Sequence, residues 1–433
     1  MHMLNSWLGY TLLIIFAMAY ILIIFEEKIH LKKSKPIVLV GCLMWMCIGI
    51  YEKIHHTEGA HEFVEHLIAE IGGLFFFLLV AMTYINTLTS LNVFKALRSW
   101  LLSKGMGFKS LFWTTGILTF FLSPLADNLT SALLMSTVAF AVSDGNKKFI
   151  VPAFVNIVIA ANAGGAWSPF GDITTLMVWT AEKVHTLEFV YLVLPSIVNW
   201  IIPAFIMSLF LPKGRPDSTE ESVSMRQGAK RTMICFALTI ATAVCFHQFL
   251  HLPPFMGMMC GLGFLMFKTF YMKIQNMRKN NGDSKHVDVF EHGIEKVEFD
   301  TLLFFFGVLT AVGALQYIGF LATVGGGFYT LAGNTVANSS IGIFSAIVDN
   351  IPIMYAVLNM GLDMGLDQWL LVTLTCGVGG SLLSIGSAAG VAVMGIEKDY
   401  TFMSHIKWAP VIFLGYIASI GTWWLVTIGL RAV

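Results

Sequence analysis

The sequence predicts an all-α polytopic membrane protein built from two inverted repeats. Of its 433 residues, 56% are hydrophobic and 12% are charged, whereas roughly a quarter of the residues in an ordinary soluble domain are charged. The mean hydropathy is +0.75. Two polar patterns that contain Pro or Gly each occur twice within the long apolar stretches. The formal net charge is zero and no basic block is present, which argues against a nucleic-acid partner.

The first pattern is a polar turn enclosed by apolar segments. It reads SPLADNLTSALL at residues 123–134 and SAIVDNIPIMYAVL at 345–358. Asp127 therefore corresponds to Asp349 at an offset of 222 residues (349 − 127), and each is followed by an asparagine. Because an ionisable residue inside a membrane segment marks a functional site by default, both turns are candidate binding sites.

The second pattern is a glycine-rich interruption of an apolar helix. It reads NAGGAWSPFGDITTL at residues 162–176 and GVGGSLLSIGSAAGVAVMG at 377–395, and its glycines keep an offset of 215 residues (379 − 164). Lipid cannot satisfy the backbone groups that such a break frees, so protein or a watered cavity must surround them. The residues expected to break the backbone are Pro124, Gly164, Gly165, Gly171, Pro352, Gly379, Gly380 and Gly386. Paired polar turns and helix breaks indicate a repeat transporter with its site between the halves.

Residues 1–69 precede the first repeat and are expected to contain two spans and an outer helix. The apolar N-terminus lacks a basic n-region and a small-residue cleavage site, so it predicts a span and not a signal peptide. A second span is predicted at about 37–51. The positive-inside rule places the short loop between them in the cytoplasm and the N-terminus outside. The lysines of that loop are Lys28, Lys32, Lys33 and Lys35.

Residues 52–70 are rich in His and Glu and are expected to form an outer interfacial helix. The segment HEFVEH within them resembles a zinc-protease signature. However, His61 and His66 are five residues apart, or about 140° around a helix, and cannot share a face. A pH-sensing role remains open because imidazole titrates near neutrality. The histidines concerned are His55, His56, His61 and His66.

The first repeat is predicted at residues 70–211. It comprises a span at about 71–88, a hairpin at about 111–143, a broken helix at about 149–180 and a return span at about 187–211. Since basic residues flank the hairpin on both sides, it should enter and leave by the cytoplasmic face. Residues 212–300 are expected to form a basic cytoplasmic loop, two linking spans at about 232–250 and 253–271, and a long cytoplasmic segment.

The second repeat is predicted at residues 301–433. It comprises a span at about 301–321, an uncharged outer loop at 322–340, a hairpin at about 341–360, a broken helix at about 370–394 and a last span at about 411–430. This hairpin should enter from outside, opposite to the first. The positive-inside rule then gives about ten full spans plus two hairpins, with both termini outside.

These paired motifs resemble those of the NhaD-type sodium/proton antiporters, in the ion-transporter superfamily that also contains arsenite, citrate and dicarboxylate carriers. The resemblance covers roughly residues 70–433. It implies a homodimer in the inner (plasma) membrane in which scaffold helices hold a moving transport domain, with elevator-like or rocking alternating access. The functional residues that it implies are Asp127, Asn128, Thr130, Asn162, Asp172, Thr174, Thr175, Ser345, Asp349, Asn350, Ser384 and Ser387.

The chemistry of these residues also indicates sodium/proton exchange. Na⁺ is a hard cation that takes carboxylate, amide, carbonyl and hydroxyl oxygens as ligands, and we expect it at Asp127, Asn128, Asp349 and Asn350. A carboxylate held away from water favours its proton-bound form. Competition for one carboxylate would therefore couple cytoplasmic Na⁺, or Li⁺, to external H⁺, with K⁺ left open. No cofactor is expected.

Other interpretations of the same residues remain open. Asp127, Asp349 and Asp172 could be helix N-caps, and the counterpart of Asp172 in the second repeat is Ser387 (172 + 215). Carriers of arsenite or of di- and tricarboxylates share the architecture, although three carboxylates at the site would repel an anion. An enzyme is not expected, because the sequence contains no GxSxG motif, no spaced zinc ligands and no Ser-His pair.

Overall fold

The protein is described by a computed structural model over residues 3–24, 29, 31–143, 145–215, 223–279 and 293–431. Within these ranges its regular structure is helical, without strands. Seven helices there are long and apolar enough to cross a membrane. The prediction of an all-α polytopic membrane protein is therefore confirmed. The predictions made for Lys28 and for the centre of the long polar segment, residues 280–292, lie outside the described residues.

The helices of the described residues are numbered in chain order. They are α1 (Trp7–Ile24), α2 (Ser34–His55), α3 (Ala60–Ser90), α4 (Val93–Ser103), α5 (Phe108–Ala126), α6 (Asn128–Val142), α7 (Lys147–Gly165), α8 (Ile173–Thr180), α9 (Val193–Ser208), α10 (Ala229–Leu250), α11 (Pro254–Lys279), α12 (Phe299–Tyr317), α13 (Phe320–Ala332), α14 (Asn334–Phe344), α15 (Asn350–Leu358), α16 (Leu366–Gly379), α17 (Ala388–Met394), α18 (Phe402–Ile406) and α19 (Ala409–Val426). Short 3-10 helices at Glu188–Leu192 and Ile428–Arg431 lead into α9 and follow α19.

The helices divide into a buried core and an outer layer. In α7, 89% of the most apolar window is buried, and in α12 the share is 67%, against 17% in α10 and 28% in α19. Large side chains such as Leu238 and Phe267 stand exposed on the outer layer. A surface this apolar is suited to lipid, so the buried helices α7 and α12 mark the protein interior.

The two halves repeat each other's local packing. The helices α5 and α6 pack on each other and on α7, while α14 packs on α16. The Ser123 hydroxyl donates to the Ala161 carbonyl at 2.6 Å, and the Ser345 hydroxyl donates to the Cys376 carbonyl at 3.1 Å. These pairs keep the sequence offsets of 222 (345 − 123) and 215 (376 − 161). The repeated pattern is therefore a repeat of contacts as well as of residues.

The halves also interlock. The second helix of each hairpin packs on the short helix that follows the break of the other half: α6 packs on α17, and α15 packs on α8. Both hairpin tips and both breaks consequently meet in the interior, where the site lies.

The structure corrects the predicted outer helix at residues 52–70. The chain turns at His56 and Gly59, whose φ angles of 52° and 143° are positive, and a single helix then runs from Ala60 to Ser90. The predicted boundary between residues 69 and 70 thus falls inside α3. The change from polar to apolar residues near residue 70 does not mark a helix boundary, because a helix of this length can extend beyond the hydrocarbon.

One predicted loop is helical. The uncharged stretch 322–340 forms most of α13 and α14, which meet at Gly333 with φ 74°, so the second hairpin begins before residue 341. Tyr329 donates a 2.7 Å hydrogen bond to Asn338 across that turn. Here tertiary packing overrides the weak helix propensity of Gly- and Ser-rich sequence. A short helix that the sequence analysis did not predict, α4, follows α3.

Candidate functional site

The first hairpin tip is built around the backbone of Asp127. Its φ of 59° and ψ of 163° lie in a region nearly confined to glycine. The backbone N–H and the hydroxyl of Thr130 donate to its two carboxylate oxygens, each at 2.8 Å. Asp127 is therefore the N-cap of α6, which agrees with the helix-cap interpretation left open by the sequence. The two hydrogen bonds stabilise the strained turn.

Asp172 lies at the centre of the site. It caps α8 in a capping box with Thr175, and its Oδ1 accepts the Thr174 N–H at 3.2 Å. Its Oδ2 accepts the side-chain N–H groups of Asn128 at 2.8 Å and Asn350 at 3.0 Å. The asparagines of both hairpin tips thus converge on one carboxylate oxygen. Asp172 is buried, with only 4% of its surface exposed.

The hydrogen bonds continue from Asp172 into the second half. Asn128 also donates to the Asn162 side-chain oxygen at 3.0 Å, and Asn162 donates to the Ser387 hydroxyl at 3.1 Å. Ser387 is the N-cap of α17. Five predicted site residues are therefore brought into one network that spans both hairpins and both breaks.

Asp349 has a different environment from Asp127, although the sequence predicts that they are equivalent. It precedes α15 without capping it, and its Oδ2 lies 2.9 Å from the Lys33 ammonium. It also lies within electrostatic reach of Asp172. Sequence reasoning assigned Lys33 only to a cytoplasmic loop, and no motif in the sequence connects it to a residue 316 positions away.

Several oxygens at the site are buried without a hydrogen-bond donor among the described residues. They belong to the hydroxyls of Thr174, Ser384 and Ser131 and to Oδ1 of Asp349. Buried polar atoms are usually satisfied, so each exception requires an explanation. Desolvated oxygens without donors are the ligands that a hard monovalent cation would use.

Three predicted ligands use their hydroxyls elsewhere. The Thr130 hydroxyl is engaged by Asp127, the Thr175 hydroxyl donates to the Asp172 carbonyl at 2.7 Å, and the Ser345 hydroxyl donates to the carbonyls of α14 and α16. Their contacts are those of residues that shape the tips and the break, while Thr174 and Ser384 have hydroxyls available for a ligand.

A cavity of about 290 Å³ reaches the site. Asp127, Asn128, Asp172 and Asn350 are among its lining residues. Its lining also includes Glu298, which the sequence analysis did not single out and which lies within electrostatic reach of Asp127. Most of the remaining lining is apolar, so the polar groups of the site face a largely apolar space.

The second helix break is held by a buried histidine. His405 is fully buried; its Nε2 lies 2.9 Å from the Ser381 carbonyl and its Nδ1 lies 2.7 Å from the Tyr400 hydroxyl. Burial lowers the pKa of His405 to about 4, so the ring is neutral at pH 7. The Ser381 carbonyl can only accept a hydrogen bond, so Nε2 is the donor and Nδ1 of the neutral ring accepts from the Tyr400 hydroxyl.

We expect the folded protein to lose stability as the pH falls from about 6.5 towards 4. Over that interval the unfolded chain binds a proton at His405 and the folded chain does not, so stability rises with pH by up to about 3 kcal/mol in total. Melting curves of the detergent-solubilised protein at pH 7 and pH 5 measure the difference. It should shrink in His405→Gln, and an equal pH effect in that variant would contradict the assignment.

Comparison with known proteins places these features in context. A family model described as a citrate transporter matches residues 20–379. The chain is 50% identical to the Na⁺/H⁺ antiporter NhaD of Vibrio cholerae, over 96% of this chain and 91% of that protein. It is 48% identical to NhaD of Alkalimonas amylolytica over 96% and 90%, and 32% identical to sodium/proton antiporter 1 of Arabidopsis thaliana over 97% and 73%.

Proposed function

Since the chain belongs to the citrate-transporter family and, within it, to the NhaD-type Na⁺/H⁺ antiporters, we propose that it exchanges cytoplasmic Na⁺ for external H⁺. The observation that carries this proposal is the Asp172 carboxylate, which both hairpin asparagines reach. This carboxylate is buried, and the hydroxyls of Thr174, in the same break, and Ser384, in the break of the other half, have no hydrogen-bond partner among the described residues. A buried carboxylate needs a cation or a proton to neutralise it.

The coupling follows from that requirement. When Na⁺ is bound, Asp172 is ionised, and Oδ1 of Asp349 and the hydroxyls of Thr174 and Ser384 complete the oxygen shell. When Na⁺ leaves, a proton neutralises the carboxylate instead, because an uncompensated buried charge is costly. Only one of the two cations is carried at a time, so their movements are opposed. Li⁺ has the same charge and ligand preference and is proposed as a second substrate.

The alternating access that we propose moves the hairpins and broken helices against the remaining helices, in an elevator-like or rocking motion. The interlocked packing of α6 on α17 and of α15 on α8 supports a unit that moves as one body. We further propose inverted repeats at residues 70–211 and 301–433, about ten spans and two re-entrant hairpins, with both termini outside and a homodimer in the plasma membrane. In this orientation Glu298, which precedes α12 and lines the cavity, lies on the cytoplasmic side.

A carrier of citrate or a related anion is the second candidate, because the matching family model is described as a citrate transporter. An anion carrier would direct donors and helix N-termini at its substrate. Here the donors of Asn128 and Asn350 are directed at Asp172. The negative charge at the centre favours a cation.

Inverted membrane vesicles test the proposal. Respiration acidifies their interior, and a pulse of NaCl, LiCl, KCl or sodium citrate is then added. We expect a pH-sensitive dye to be dequenched by Na⁺ and Li⁺ chloride and not by KCl. If dequenching requires citrate and is independent of the cation, the anion carrier is the function.

The proposal also predicts that the apparent Na⁺ affinity depends on pH, which the same assay measures. Because proton and Na⁺ compete for one carboxylate, the Na⁺ concentration for half-maximal exchange should rise about tenfold for each unit by which the pH falls within the titration range of the site. Measurements at half-unit steps from about pH 5 to pH 9 follow it. A value that stays constant over this whole range would exclude shared-site competition.

A further inference from the structure

A shielded ion pair joins the second hairpin tip to the start of α2. The ammonium of Lys33 lies 2.9 Å from Asp349 Oδ2, and the two side chains are only 19% and 10% exposed. The same ammonium lies 4.2 Å from the centre of the Phe304 ring, within the range of a cation–π interaction. Water screens such a pair much less than an exposed one, so a positive charge is firmly held at this tip.

The carboxylate that Lys33 binds adjoins the site network. Asp349 is followed by Asn350, whose amide donates to Asp172, and Asp349 interacts electrostatically with Asp172 itself. Oδ1 of Asp349 is buried without a donor among the described residues. Lys33 therefore contacts one oxygen and leaves the other to a ligand. Among the described residues, Tyr20 of α1 and Cys376 of α16 also lie within electrostatic reach of Asp349.

We propose that the Lys33 ammonium is a built-in counter-cation that occupies Asp349 when no Na⁺ is bound and competes with Na⁺ for it. This inference rests on the proposed Na⁺/H⁺ exchange. Two monovalent cations beside one carboxylate repel each other, and in a weakly screened interior that repulsion is large. Entering Na⁺ must therefore displace the ammonium or bind against its charge. Lys33 thereby weakens Na⁺ binding and favours release of the ion, which a carrier needs as much as capture.

The test measures exchange in proteoliposomes at a fixed alkaline pH, where few protons compete, as a function of Na⁺ concentration. Lys33→Gln removes the positive charge. We expect it to lower the Na⁺ concentration for half-maximal exchange by about fivefold or more, the usual lower range for coupling between competing ligands. Lys33→Arg keeps the charge and should stay near the wild-type concentration. Lys32→Gln is the matched control, since Lys32 is exposed and 4.0 Å from Asp300.

If the ion pair only stabilises the structure, removal of the Lys33 charge does not lower the half-maximal Na⁺ concentration. In that case Lys33→Gln raises the half-maximal Na⁺ concentration or leaves it unchanged, and either result overturns the inference. If Lys33→Gln does not reach the membrane, Asp349→Asn is compared with Lys33→Gln/Asp349→Asn, which leaves no charge unpaired. The two should then show the same Na⁺ dependence, and a difference overturns the inference. Absence of exchange in the wild type would instead refute the proposed function.

Discussion

Replacing Asp172 by asparagine should abolish sodium-dependent proton exchange, down to the background of vesicles without the protein. Asparagine keeps the size of the side chain and an oxygen that can accept from Asn128 and Asn350, but it can neither carry a negative charge nor exchange a proton for Na⁺. The variant should still fold, because removal of a buried charge relieves its desolvation cost. Dequenching in inverted vesicles, normalised to the amount of protein in the membrane, measures the effect.

Asp363→Asn makes the same chemical change on the exposed loop before α16 and should leave exchange at the wild-type level. Near-normal exchange by Asp172→Asn, with normal protein levels, would mean that Asp172 is only the N-cap of α8. The charged groups at the tips, Asp127 and Asp349, would then be the remaining candidates for the coupling carboxylate.

The second large effect is expected at two glycines, one in each helix break. Each of them packs closely on the first helix of the hairpin of its own half. A methyl group at Gly379 would overlap the Gly342 carbonyl oxygen, and one at Gly164 would overlap the equivalent Phe120 carbonyl oxygen. Both obstacles are backbone and cannot rotate away, so α14 and α16, or α5 and α7, must move apart. Overpacking of this kind costs about 1–3 kcal/mol or more and displaces the break, so Gly379→Ala should lower the melting temperature and lose exchange.

Gly421→Ala is the control for this substitution. Gly421 lies in α19 with open space where its Cβ would be, so alanine there should be neutral or stabilise the helix by up to about 1 kcal/mol. Melting of the detergent-solubilised variants and exchange in vesicles are compared side by side. Equal behaviour of Gly379→Ala and Gly421→Ala would show that close approach of the helices is not required.

The sequence was most informative where a polar pattern interrupts apolar chain. The helix ends at Ala126, Gly165 and Gly379 lie where Pro, Gly and Asp interrupt the hydrophobic pattern, because a broken backbone needs those residue types. The constant offsets also predicted which positions are equivalent. The hydrogen bonds that Ser123 and Ser345 donate to backbone carbonyls join residues at these equivalent positions. Local chemistry was therefore sufficient to locate the tips and the breaks.

What the sequence could not predict depends on contacts between distant segments. Asp127 and Asp349 occupy equivalent positions, yet one caps its own helix and the other binds Lys33, and only the folded chain brings Lys33 there. The central place of Asp172 likewise requires both hairpins to meet. The helices of 322–340 were missed because glycine-rich sequence has low helix propensity and gains its helices from packing.

The central claim is that Na⁺ and a proton compete for Asp172. Calorimetric titration of the purified protein with NaCl, in buffers of different ionisation enthalpy at one pH, counts the protons released for each Na⁺ bound. The account predicts proton release by the wild type that disappears in Asp172→Asn. Sodium binding without proton release by the wild type, or release of the same number of protons by Asp172→Asn, would contradict it.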